Sequence, residues 1–61
     1  MYVPWDMWIK ANRKHRGLTQ HDLAYELGAS QRAVINWENG ITTPKKMYQE
    51  RINGLFGDYP R

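Results

Sequence analysis

Apolar side chains return every three or four residues in four separate stretches of the chain, and no stretch of β-branched residues alternates with period two. That pattern predicts an all-α fold, a compact bundle of four short helices. The first helix runs from Trp5 to Arg16, with Pro4 at its first position and Gly17 as its stop. Trp5, Trp8, Ile9 and Asn12 share one side of it. The asparagine is either a buried, hydrogen-bonded group or the point where the stripe ends and the tryptophans carry the packing. The second helix, 20–27, takes Thr19 as N-cap and places Leu23, Ala24 and Leu27 on one face, with Asp22 near the positive end of its dipole. Gly28 closes it. Only Ala29 separates that stop from the next cap, Ser30, so the second and third helices must cross steeply.

The third helix, 31–39, is closed by Gly40 and is apolar along Ala33, Val34 and Trp37. Gln31, Arg32, Ile35, Asn36 and Asn39 spread over the opposite face, and Glu38 sits at its edge near the buried side. Thr43 and Pro44 read as the cap and first residue of a fourth helix carrying Tyr48, Ile52 and Leu55 at helical spacing. Gly54 and Gly57 are rival stops for it.

Length and composition narrow the function classes. Sixty-one residues without a linker or repeat make a single domain over 1–61, and a chain of that size buries only about 60% of its unfolded surface. There is no cysteine, which excludes disulfides and thiolate zinc sites, and two histidines, His15 and His21, are too few for a structural zinc. No metal or cofactor is expected. No apolar run has the length of a membrane span, and the start MYVPWDMW is unlike a signal peptide, so a cytoplasmic protein is expected. No nucleophile can be assembled with a base and an orienting acid, and no glycine loop suits a phosphate, which argues against an enzyme.

Nine Lys and Arg against six Asp and Glu give a net charge of +3, compatible with nucleic acid but no proof of it. Lys10, Arg13, Lys14 and Arg16 crowd one stretch with His15, and Lys45 and Lys46 form a second basic site. The two lysines open a helix whose dipole prefers anions there, so they point either to an outside anion or to a solvated pair.

The segment 19–40 thus reads as a helix-turn-helix. Ala24 must be small where the helices cross, Gly28 takes the tight turn, and Trp37 is core. The stretch LTQHDLAYELGASQRAVINWENG resembles the lambda-repressor-like family of phage repressors, Cro-type proteins and their bacterial relatives. Its Leu-Thr-Gln start, Leu-Ala pair, Leu-Gly-x-Ser turn and Trp-Glu-Asn-Gly ending each match, and with Arg13, Gly17 and Pro44 the likeness reaches roughly 13–44. Asn12 departs from it, standing where the family carries an apolar residue.

The resemblance implies a transcriptional regulator, a Cro-type repressor of a phage or mobile element that reads the major groove of double-stranded DNA with the third helix. Gln31 would read a base, and Gln20 would brace Gln31 and touch the DNA backbone. Asn39 and the Gly40–Thr43 loop, with its free amides and the hydroxyls of Thr42 and Thr43, match the family's backbone-gripping loop, and Lys45 and Lys46 would add to it. Arg13 and Glu38 stand where family members form a salt bridge. The exposed face itself adds Arg32, which suits guanine or a phosphate, Asn36, which reaches a further base, and Ile35, which suits a thymine methyl or a neighbouring segment. A palindromic operator and a homodimer, formed on DNA if not before, are expected. Leu55, Phe56 and Tyr59 are candidate dimer contacts because four short helices leave little core for them. Trp5 and Trp8 are either core or a partner surface. Rival readings are an antitoxin that binds its operator and a toxin, and a protein-binding adaptor.

Overall fold

The computed structural model describes residues 3–59. Four helices follow one another: α1 (Trp5–His15), α2 (Gln20–Leu27), α3 (Gln31–Glu38) and α4 (Lys46–Phe56). No strand occurs among the described residues.

Single-residue signals set most of the boundaries. At the start of α2 the Thr19 hydroxyl accepts from the Asp22 amide, and the Asp22 carboxylate accepts from the Thr19 amide, both at 3.0 Å. This reciprocal capping box satisfies two of the amides that a helix start leaves open. Ser30 caps α3 through the Ala33 amide at 3.1 Å. The ends of α2 and α3 share another device. Gly28 (φ 66°) and Gly40 (φ 72°) adopt the left-handed conformation, which costs glycine nothing. Their amides donate to Tyr25 O and Trp37 O, and the amides one residue on donate to Ala24 O and Asn36 O. That pair of bonds is the Schellman arrangement, and it turns the chain sharply without leaving helix carbonyls unpaired.

Four boundaries differ from the sequence pattern, among them the end of α3, which stops at Glu38 and leaves Asn39 as its C-cap. Pro4 is the N-cap of α1 and not its first helical residue, and α1 ends at His15. Thr43 does not cap α4. The helix begins at Lys46, with Lys45 as an N-cap that makes no side-chain bond. Pro44 is buried, and its carbonyl accepts from Gln49 Nε2 at 2.8 Å. Gly54 lies inside α4, which stops at Gly57.

The core consists of Ile9 from α1, Leu23, Ala24 and Leu27 from α2, Val34 and Trp37 from α3, and Ile52 from α4. Each is less than 5% exposed. Asn12 joins this side of α1 without an orphaned polar group, because its Nδ2 donates to Trp8 O at 2.9 Å.

A second, aromatic cluster closes the far side. Trp5 stacks on Tyr59 at 3.8 Å between ring centroids, and Trp8 meets Trp5, Tyr59 and Phe56 edge-on at 5.2–5.9 Å. The Tyr59 hydroxyl donates to Val3 O, and its amide donates to Asn53 Oδ1. Leu55 and Phe56 are half-buried against the core, and the Arg16 guanidinium lies over the Phe56 ring at 5.5 Å. Leu55, Phe56 and Tyr59 are therefore not left over from the core. They pack within their own chain, and each stays half-buried. Trp5 and Trp8 are half-buried members of the same cluster.

The capping box carries a pH dependence. Hydrogen bonds from Thr19, the backbone amide first and then the hydroxyl, hold the Asp22 carboxyl below the usual aspartate range. A folded-state pKa below the unfolded one stabilises the fold above the unfolded value, and the gain disappears as pH falls through the folded value. Denaturant melts of wild type and Asp22→Ala should differ at neutral pH and converge in acid. A constant gap across that range would remove Asp22 from the acid limb.

Candidate nucleic-acid interface

The recognition face rests on α3. Val34, Trp37 and Glu38 point inward, which leaves Gln31, Arg32 and Asn39 exposed and Ile35 and Asn36 half-buried beside them. Arg32 makes no ion pair or side-chain hydrogen bond with any described residue. The open face therefore carries three amides, a guanidinium and an aliphatic group close together, with no carboxylate among them. Such groups match base edges in the major groove.

Three neighbours hold α3 in place. The Glu38 carboxylate, fully enclosed, accepts from Arg13 Nε at 2.6 Å and from Arg13 Nη2 at 3.0 Å. This is the two-pronged fork that guanidinium forms with carboxylate. Arg13 Nη1 donates to Leu18 O at 2.9 Å, tying in the α1–α2 link. Gln20 Nε2 donates to Glu38 Oε1 at 3.2 Å, so the amide at the start of α2 braces the far end of α3 and not Gln31. A third tie comes from α4. Arg51 Nη1 donates to Leu27 O at 2.9 Å at the turn between α2 and α3, and its guanidinium lies 5.8 Å from the Tyr48 ring. Tyr48 packs on Trp37 at 5.3 Å. Sequence reasoning misses Arg51 because nothing local to α4 marks it.

The loop after α3 differs from expectation in its donors. The amides of Gly40, Ile41 and Thr42 all turn back onto α3 carbonyls, Trp37 O for the first and Asn36 O for the other two. They are not free for an anion. The hydroxyls of Thr42 and Thr43, both exposed, remain available beside the exposed Lys45 and Lys46. Ala24 is enclosed at the helix crossing, and the Cβ that Gly28 lacks would come within 3.0 Å of Arg51 Nη1. Lys10, Lys14 and His15 on α1 are exposed, as is Arg16, its C-cap.

A family model described as helix-turn-helix matches residues 9–52, well over half of the chain. The chain belongs to the lambda-repressor-like, Cro/C1-type helix-turn-helix family. The matched span opens at Ile9 and closes at Ile52, so it encloses every buried apolar residue of the core. Trp5, Trp8, Phe56 and Tyr59 lie outside it. This helix-turn-helix protein is a transcription regulator that binds double-stranded DNA. No curated protein and no solved structure matches the chain. Among the described residues, no helix is long and apolar enough to cross a membrane.

Proposed function

We propose that the protein is a Cro-type repressor, of a phage or mobile element, that reads the major groove with α3. The observation that carries the proposal is the division of α3 into a locked side, Val34, Trp37 and Glu38, and an open side, Gln31, Arg32, Ile35 and Asn36. Gln31 and Arg32 stand in the first turn, the end of a recognition helix that meets base edges. An amide suits adenine N6 and N7, a guanidinium suits guanine O6 and N7, and Ile35 suits a thymine methyl. Asn36 adds a further base contact. Gln20, Asn39, Thr42, Thr43, Lys45 and Lys46 contact the DNA backbone, which fixes register and supplies sequence-independent affinity. Bound at a promoter, a domain of this kind represses by occupying the site.

One such helix reads only a few base pairs, too few to select a site among genomic competitors. Two copies on a palindrome, with recognition helices about 34–36 Å apart, supply the missing discrimination. The whole chain, 1–61, is taken as one such DNA-binding domain.

Selection of bound sites from random duplex DNA tests the reading, and a palindromic consensus is the expected outcome. Arg32→Ala should then relax the preference at one base pair of each half-site, a loss of about 1–3 kcal/mol of discrimination. Equal weakening on every sequence would make Arg32 a phosphate contact. Recovery of no consensus from the wild-type protein would overturn the proposal.

A further inference from the structure

The start of α1 and the loop after α3 lie against each other. Asp6, in the first turn of α1, places Oδ2 3.4 Å from where a Cβ on Gly40 would stand. A cleft of about 230 Å³ separates the two segments, and Asp6, Gly40, Thr42 and Thr43 are among its walls. Asp6 makes no ion pair, since Arg13–Glu38 is the one ion pair among the described residues. A negative charge without a cationic partner thus stands beside the hydroxyls proposed above to hold a DNA phosphate.

We propose that Asp6 limits the DNA affinity of the protein by opposing the phosphate held at the Thr42–Thr43 loop. The inference rests on the proposed backbone contacts of that loop. Its sign is unusual for a residue beside an interface, because removing the side-chain charge strengthens binding. The carboxylate acts across solvent on the sugar–phosphate chain and touches no base, so its effect is the same on every sequence. A solvent-screened pair of unit charges is worth about 0.2–1 kcal/mol, or a factor of about 1.4 to 5 in affinity. Asp6 thereby sets how long the protein stays on bulk DNA while leaving the readout by α3 unchanged.

The test measures affinity for a short random-sequence duplex over a salt series, with thermal melts showing that each variant is folded. Asp6→Asn and Asp6→Ser, which both remove the charge, should bind about 1.4- to 5-fold more tightly than wild type at low salt. The gap should close as salt shortens the screening length. Asp6→Glu, which keeps the charge, should match wild type. Lys46→Ala, measured alongside, separates the two ways of failing. If Lys46→Ala weakens binding and the neutral Asp6 variants do not tighten it, the loop contacts stand and the role of Asp6 is overturned. If neither Lys46→Ala nor Thr42→Val changes binding, the proposed backbone contacts fail, and the inference fails with them.

Discussion

Trp37→Ala is expected to unfold the protein, or to leave it melting far below the wild type. The indole is 4% exposed and stands between the α3 backbone and the Tyr48 ring. Truncating a buried tryptophan to alanine costs about 3–5 kcal/mol, part in lost transfer energy and part in the cavity left behind. At about 0.05–0.15 kcal/mol per residue, a chain of 61 residues has a total stability of only about 3–9 kcal/mol. The loss is therefore of the order of the whole. The cavity cannot collapse cheaply either, because Tyr48 also meets the Arg51 guanidinium, and Arg51 is bonded to Leu27 O. Circular dichroism melts check this, each kcal/mol corresponding to about 4–8 °C in a domain of this size. Trp37→Phe, which fills most of the space, should keep a cooperative transition at reduced temperature. An alanine variant that melts beside wild type would show that α3 is wrongly phased, and the contacts assigned to Gln31 and Arg32 would go with it.

That dependence explains why the reading face is legible from sequence. Val34 and Trp37 are the only large apolar pair at helical spacing in 31–39. Burying them fixes the rotation of the helix and so decides what faces out. The starts and stops around it are legible for a similar reason, since Thr19, Ser30, Gly28 and Gly40 each act within four residues of their own position. The start of α4 misleads because Thr43-Pro44 has the composition of a cap and first turn, whereas the buried Pro44 carbonyl takes a bond from Gln49 and the helix begins later. The hidden features are those whose partners lie far along the chain. Tyr59 finds Trp5, Arg51 finds Leu27, Gln20 finds Glu38 and Asp6 lies against Gly40. No periodicity or cap motif encodes such pairs. The aromatic cluster also falls outside the span that the family shares, so resemblance is silent about it.

Glu38→Ala should cost about as much as the loss of the tryptophan, through a different mechanism. The carboxylate has no contact with water and accepts three hydrogen bonds, two from Arg13 and one from Gln20. Removing it leaves a guanidinium that is only 12% exposed facing a space where its counter-charge had been, together with an amide that has lost its acceptor. Breaking one side of such a buried pair costs about 3–5 kcal/mol, most of it the penalty of the charge that remains. The same reasoning predicts the rescue. Arg13→Met in the Glu38→Ala background removes the stranded charge while keeping an apolar stem, so the double variant should be more stable than Glu38→Ala alone. Arg13→Lys should not substitute for the arginine, because an ammonium cannot hold both carboxylate oxygens and Leu18 O in one plane. Denaturant melts of wild type, Glu38→Ala, Arg13→Met and the double variant form a double-mutant cycle whose coupling term isolates the pair. Simple additivity, with the double variant as unstable as the sum of the singles, would mean that the bridge does not join α1 to α3 energetically. The stability of the recognition helix would then rest on Val34, Trp37 and the Arg51 tie alone.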